Sequence, residues 1–383
     1  MTLPTDRDLH FGPGAIVTTW RAVPELDGRR VLLVCGKNSF DGSGAAECLP
    51  ELRGRATVRR WSDFRPNTDA RDLVEGLRIM AEYDPDLVLG VGGGSALDMA
   101  KLLCAYRGIT EETALHEAIR AGAAVTERRP RLMLAPTTSG SGSEATHFAV
   151  VYIGETKFSI AGPAMLPDTV VLDPEITRSA SPYQRATSGI DALAQAVESL
   201  WATGATDASR EFARSAIPLL IAALPDFVAT GSSESAADMA RGSHLAGRAI
   251  DISKTTAAHA LSYGITKTYG LPHGHAVALT LGRFIAAHAD ADDSRLQPGV
   301  SPDTHRAALA TVLAEFGAAD PKAARDAFYG LAERIGLSMD PAAAGITSRD
   351  AVADLVGRVN LERLNNNPVR FTREGLQDVV LPG

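Results

Sequence analysis

At 383 residues the chain is longer than one compact core usually supports and suits two domains. Apolar residues make up 45% and charged residues 22%, the balance of an ordinary globular protein. A formal net charge of −8 provides no global basic field, which argues against nucleic acid as a partner but not against a local basic pocket for an anionic substrate. The three cysteines, Cys35, Cys48 and Cys104, form no disulfide framework and no CxxC pair, so a reducing compartment fits. The first residues lack the basic start and apolar core of a signal peptide. The longest apolar run, around Ile217 to Leu224, is too short to cross a bilayer. These features predict a cytoplasmic protein with no membrane partner.

In chain order, Arg30 to Gly36 and Thr57 to Trp61 read as strands, and Asp69 to Glu82 has helical periodicity. An apolar run from Leu87 enters three consecutive glycines, Gly92-Gly93-Gly94, and helical spacing resumes near Ser95 and lasts to about Tyr106. Arg131 to Pro136 is a further strand. Strands alternating with helices imply a parallel sheet covered on both faces. Phe148 to Ile153 and Lys157 to Ile160 flank Gly154-Glu155-Thr156 as a hairpin, and Val170 to Leu172 is a last short strand. From Tyr183 to about Asp378 almost every segment has helical spacing and is rich in alanine. The expected organisation is an α/β domain over 1–180 and an all-α domain over 181–383, with Asp290 to Pro302 a polar surface loop.

Three loops in the first domain have a chemical reading. Successive glycines remove the Cβ atoms that hold a phosphate away, and a helix starting at once presents unpaired N–H groups and its positive dipole end. Gly93, Gly94 and Ser95 are therefore candidates for a pyrophosphate. The turn is neither GxGxxG nor a P-loop, and a tight strand-to-helix connection accounts for the same glycines. Pro136 to Glu144 follows a strand end with hydroxyls and glycines interleaved, so Thr137, Thr138 and Ser141 can donate to phosphates or ribose at the carboxyl edge of the sheet. After the first strand, Gly36, Lys37 and Ser39 stand where a carboxylate often reads the adenosine ribose. No carboxylate is there, which leans towards NADPH over NADH.

In the helical half, Asp191 and Gln195 are four residues apart and share a helix face. His259, His273 and His275 follow, while His10, His116, His147, His244, His288 and His305 are scattered singly and read as surface or core residues. One carboxylate, one amide and two or three imidazoles suit a divalent metal of intermediate softness, Fe2+ or Zn2+. Structural histidines at helix ends explain the same pattern.

Several motifs together resemble the iron-containing (group III) alcohol dehydrogenases. They are Gly92-Gly93-Gly94-Ser95 with Asp98 and Lys101, Pro136-Thr137-Thr138, Gly140-Ser141-Gly142-Ser143-Glu144, Leu166-Pro167-Asp168, Asp191-Ala192-Leu193, His259-Ala260, Pro272-His273-Gly274 and Asn365-Asn366-Asn367-Pro368, in the family's order. The resemblance implies a dehydroquinate synthase-like fold, an N-terminal dinucleotide-binding domain and a helical domain holding substrate and metal. It implies that Asp98 belongs to the NAD(P)H site and that Lys157 reaches the nicotinamide ribose. Asp191, His259 and His273 stand at three of the family's four metal positions, with Fe2+ favoured over Zn2+, and Gln195 replaces the fourth ligand, a histidine. An amide oxygen is a poorer donor than imidazole, so metal affinity is expected to fall. His259, His273 and His275 are the expected catalytic residues, His275 as a proton relay or a contact to an anionic group.

The sequence around Gln195, His259 and His273 is most like the phosphonoacetaldehyde reductase branch, which implies reduction of a small anionic aldehyde in phosphonate natural-product biosynthesis, by a homodimer. Lys254, Arg185, Arg363 and Arg370 flank the motifs and are the available cations for such a substrate. Another aldehyde or diol dehydrogenase of the family, or a nucleotide-binding protein that lost catalysis through Gln195, are the alternatives.

Overall fold

The apolar stretches of the first half become strands β1 (Asp8–Phe11), β2 (Arg30–Cys35), β3 (Thr57–Trp61), β4 (Leu87–Gly92), β5 (Arg131–Pro136), β6 (Phe148–Ile153), β7 (Thr156–Ala161) and β8 (Thr169–Leu172) in a computed structural model that describes residues 8–22, 26–127, 130–359 and 361–381. Six form one sheet in the order β1-β8-β5-β4-β2-β3, with every neighbouring pair parallel. β6 and β7 are the antiparallel hairpin, paired from Phe148 with Ala161 to Ile153 with Thr156. β1 was not anticipated: its alternation of Asp8, Leu9, His10 and Phe11 is only four residues long, and its register comes from pairing with β8 at the sheet edge.

The sheet is buried on both faces because its side chains alternate between two cores. Leu32, Val34, Val88, Leu132 and Leu134 pack with Leu73, Leu77, Leu97 and Leu102 on one side. Val31, Leu33, Leu89, Val91 and Met133 pack with Trp20, Phe40 and Leu52 on the other. From β2 the chain moves outward to β3, whereas from β4 it moves the other way to β5. The carboxyl ends of β2 and β4 therefore flank a topological switch point, where open α/β sheets bind ligands.

The chain divides into two compact units, Met1–Ala180 with Gly231–Ala240, and Ser181–Thr230 with Arg241–Gly383. The second is built from helices. Pro182–Trp201 begins with proline at its first turn and Ser181 as its cap, the side chain accepting from the Gln184 N–H. Asp207–Ala229 starts at a reciprocal Thr206–Ser209 capping box. By length and composition this second helix is apolar enough to cross a membrane. Its buried residues Ala213, Ala216, Ile217, Leu220, Leu224 and Phe227 recur every three or four positions, the stripe of a core helix, and it packs along Pro182–Trp201.

Three of the scattered histidines, His244, His288 and His305, are buried in this unit. His288 is buried among Trp201, Phe284, Phe371 and His305. Its Nε2 donates to Asn367 Oδ1 at 3.1 Å, and burial, reinforced by His305, pushes its pKa down from 6.5 to about 3. Below pH 6.5 the unfolded chain takes up a proton there that the native state refuses, so stability is full above that pH and lost as pH falls towards 3. Between pH 6.5 and 5 the loss is about 2 kcal/mol at 1.36 kcal/mol per unit. His288→Gln, which keeps a donor for Asn367, is expected to show that much less acid destabilisation, measured by denaturant midpoints at pH 7 and pH 5.

Candidate active site

At the carboxyl ends of β2, β4 and β5 the three predicted loops meet. A Cβ on Gly92 would lie 3.4 Å from the Gly36 nitrogen, one on Gly36 would lie 2.1 Å from Ser39 Oγ, and one on Gly94 would lie 2.9 Å from Ser141 Cβ. Thr138 stands 3.6 Å from the Cβ position of Gly93, and the Thr137 N–H donates to the Gly92 carbonyl at 2.9 Å. The Gly94–Ala105 helix starts from Gly93 with no side-chain cap. No side chain caps the first N–H groups of this helix, and such a start, among glycines packed this closely, suits the pyrophosphate of a dinucleotide.

Other predicted nucleotide residues have structural partners. Ser95 Oγ accepts from the Asn67 N–H at 3.1 Å. The Asp98 carboxylate accepts from Ser143 Oγ at 2.5 Å and from the Val150 N–H at 2.9 Å. Buried Lys101, one turn on, donates to the Thr146 and Phe148 carbonyls at 2.7 and 2.9 Å. Together Asp98 and Lys101 brace the 143–150 segment that follows the hydroxyl-rich loop. Lys37 is exposed and lies 3.9 Å from Asp63, and half-buried Lys157 sits on β7 opposite Tyr152.

In the second unit three predicted metal residues converge. The ligand atoms of Asp191, His259 and His273 all lie within 4.8 Å of one another, with Asp191 Oδ1 3.4 Å from His259 Nε2 and 3.8 Å from His273 Nε2. Asp191 comes from the Pro182–Trp201 helix, His259 from Ala257–Tyr269, and His273 opens His273–Ala289. The last helix approaches so closely that a Cβ on Gly274 would fall 2.0 Å from the Thr187 carbonyl oxygen and 2.7 Å from Asp191 Cβ. Gln195, one turn after Asp191, donates from Nε2 to Asp191 Oδ2 at 3.1 Å.

Residues not predicted from the sequence complete the surroundings. Fully buried Glu198 accepts at Oε1 from the Thr256 N–H, Thr256 Oγ1 and the Ala258 N–H at 3.2, 2.7 and 3.1 Å, and its Oε2 bonds His259 Nδ1. The signal was available: Glu198 follows Asp191 by seven residues, so Asp191, Gln195 and Glu198 share one face of the helix in a stretch where Ile190, Leu193, Val197 and Leu200 are apolar. Tyr263 lies flat against His273, ring centroids 5.6 Å apart and planes 4° from parallel. Asn366 ties the segments that bear the ligands together. It accepts from Thr203 Oγ1 and the Gly204 N–H at 2.9 and 3.0 Å and donates to the Ser253 and Thr255 carbonyls at 2.8 and 2.9 Å, on either side of Lys254, whose φ is 58°.

His275 is not part of the convergent group. Its Nε2 donates to the Ser338 carbonyl at 2.8 Å, and its Nδ1 lies 3.2 Å from the Tyr183 hydroxyl. Among the cations, Arg185 donates to the Val228 carbonyl at 2.9 Å and lies over the Phe227 ring, and Arg370 donates to the Ser294 carbonyl at 2.5 Å.

The two buried carboxylates favour positive charge in this group, whether a proton on His259 or a bound cation. Burial opposes charge on His259, but Glu198 and Asp191 outweigh it and push its pKa up to about 10. Burial likewise raises the Glu198 pKa, and the His259 charge with its hydrogen bonds pulls it below the ordinary value. Gln195 Oε1 and His259 Nε2 are buried with no hydrogen-bond partner, which is costly unless a ligand uses them. A carboxylate, two imidazoles and an amide oxygen beside them fit Fe2+ or Zn2+.

Comparison with known proteins agrees with this geometry. Residues 6–174 match the family model of the iron-containing alcohol dehydrogenases, and 185–381 match the C-terminal model of the Fe-containing alcohol dehydrogenase family. A phosphonoacetaldehyde reductase from Streptomyces viridochromogenes is 33% identical over 306 residues, 76% of this chain and 74% of the relative. A long-chain-alcohol dehydrogenase from Geobacillus thermodenitrificans is 38% identical over 276 residues, 71% of this chain and 69% of the relative. The crystal structure of a sulfoacetaldehyde reductase from Bifidobacterium kashiwanohense in complex with NAD+ superposes with a TM-score of 0.85 at 28% identity, covering 99% of this chain and 97% of that one. With a glycine turn at the switch point of one unit, three side chains that could hold a metal in the other, and both family models matched, the chain belongs to the iron-containing alcohol dehydrogenases, a family of alcohol dehydrogenases and aldehyde reductases.

Proposed function

We propose that this enzyme reduces a small anionic aldehyde to its alcohol, with phosphonoacetaldehyde as the substrate and 2-hydroxyethylphosphonate as the product, using NADPH in preference to NADH. The observation that carries the reading is the convergence of Asp191, His259 and His273. It is supported by the phosphonoacetaldehyde reductase relative at 33% identity and by the structural likeness to a reductase of another small anionic aldehyde.

The backbone N–H groups after Gly93 hold the pyrophosphate, Thr137, Thr138 and Ser141 hold ribose and phosphates, and Lys157 holds the nicotinamide ribose. The absence of a carboxylate at Gly36, Lys37 and Ser39 supports NADPH. Asp191, His259 and His273 hold a divalent metal, iron in preference to zinc. The reduced nicotinamide supplies the hydride, and the metal supplies a Lewis acid for the carbonyl oxygen. Gln195 holds Asp191 through Oδ2 and leaves Oδ1 towards the two imidazoles. Tyr263 fixes the plane of His273 by stacking on it. With Nε2 engaged by Ser338, His275 passes a proton only at Nδ1, through the Tyr183 hydroxyl, which is on a residue 48% exposed. The working form is a cytoplasmic homodimer.

The test is oxidation of NADPH and of NADH with phosphonoacetaldehyde, sulfoacetaldehyde, glycolaldehyde and lactaldehyde. The expected result is a kcat/KM for phosphonoacetaldehyde at least about tenfold above the neutral aldehydes, the yield of about 1.4 kcal/mol from one charge-assisted contact. Equal or better turnover of glycolaldehyde overturns the anionic assignment and leaves the aldehyde reductase.

A further inference from the structure

The pair formed by Glu198 and His259 is unusual in what it consumes. Glu198 has no exposed surface. Its Oε1 is saturated by the Thr256 N–H, the Thr256 hydroxyl and the Ala258 N–H, three donors at the entry to the Ala257–Tyr269 helix. The Thr256 hydroxyl is itself held by Trp201 Nε1 at 3.1 Å. These bonds leave Glu198 a single oxygen, Oε2, and that atom faces His259 Nδ1. A carboxylate only accepts, so Nδ1 must carry the proton. The opposite ring nitrogen, Nε2, then faces Asp191 Oδ1 at 3.4 Å and lies in the group shared with His273.

We propose that Glu198 is a positioning residue that selects the tautomer of His259, keeping the proton on Nδ1 so that the Nε2 lone pair is available to a divalent cation held with Asp191 and His273. The inference rests on the metal site of the proposed function and adds the residue that prepares it. The same carboxylate ties the first turn of the Ala257–Tyr269 helix to the Pro182–Trp201 helix, so ring orientation and helix placement come from one side chain. Glu198 touches neither substrate nor metal. It acts through His259, as carboxylates behind metal-bound histidines generally do.

Glu198→Gln keeps the shape and reverses the instruction. If the amide oxygen stays on the three donors, its NH2 group confronts Nδ1 and drives the proton to Nε2. If it turns over, the NH2 group confronts the Thr256 and Ala258 N–H groups. Zinc affinity, measured by competition with a chelator of known strength, is expected to weaken 10- to 100-fold, on the order seen for such outer partners, while NAD(P)H affinity and far-UV circular dichroism stay unchanged. In zinc-loaded wild type, nitrogen-15 histidine NMR is expected to show a proton on His259 Nδ1 and none on Nε2, a readout that decides the matter even if the variant does not fold. An unchanged zinc Kd in folded Glu198→Gln, or His259 protonated at Nε2, overturns the role of Glu198 alone. Failure of wild type to bind zinc or Fe2+ at all overturns the metal reading and this inference with it.

Discussion

Gly274→Ala is expected to lower kcat/KM at least about 100-fold and to destabilise the helical unit, although it adds a single methyl group. That methyl would sit 2.0 Å from the Thr187 carbonyl oxygen and 2.7 Å from Asp191 Cβ. The first obstacle is backbone, so no rotamer change relieves it and the His273–Ala289 helix must move away from Pro182–Trp201. Overpacking of this kind costs about 1–3 kcal/mol or more, and a displacement near 1 Å at a catalytic group costs about 100-fold in rate. His273 and Asp191 lie on the two helices being separated, so metal content should fall together with activity. Gly330→Ala is the control. It sits inside the Pro321–Arg334 helix with nothing within 4 Å of its Cβ position, and there alanine is expected to stabilise by about 1 kcal/mol through helix propensity. Thermal midpoints and steady-state rates of the two variants make the comparison. Retention of activity and metal by Gly274→Ala would show that the helices are not in the contact described.

The second large effect is expected at Asp191. Asp191→Ala removes the one carboxylate that stands 3.4 and 3.8 Å from the two histidines and leaves the Gln195 amide without the oxygen it now holds. Loss of bound metal and a fall in kcat/KM of about 1,000-fold are expected, corresponding to about 4 kcal/mol of carbonyl activation. NAD(P)H affinity should stay within about twofold, because Gly93, Gly94 and the hydroxyl-rich loop belong to the other unit. Metal analysis, steady-state assays and nucleotide fluorescence titration separate these outcomes. Turnover within tenfold of wild type would mean that aldehyde reduction proceeds without this group. Gln195→His, measured beside it, is expected to raise metal affinity by replacing an amide with an imidazole, the better donor.

Much of the fold was legible because its periodicities are local. The run Leu87 to Gly92 and its partners are continuous apolar strands, as expected where both faces of a parallel sheet are buried, and β2, β4 and β5 lie where the pattern placed them. The four-residue spacing of Asp191 and Gln195 is enough to put both on one helix face, and a hydrogen bond joins them there. β1 was not legible, since its register comes from β8 some 160 residues away in the chain. Asp98 and Lys101 were legible as motif residues but not as the brace of the 143–150 segment.

The amino-acid sequence by itself determined the class of chemistry: a glycine turn between a buried strand and a helix, hydroxyls at a strand end, and one carboxylate with an amide and imidazoles in a helical half. Those are properties of residue type and short-range spacing, which the chain carries wherever it folds. Tertiary structure alone decided that Asp191, His259 and His273 meet, that Glu198 reaches a histidine 61 residues away, and that Gly274 must lack a side chain because a carbonyl from another helix occupies the space. The reason is that helix periodicity states which face a residue is on, whereas the packing of three helices against one another sets which faces touch and at what distance.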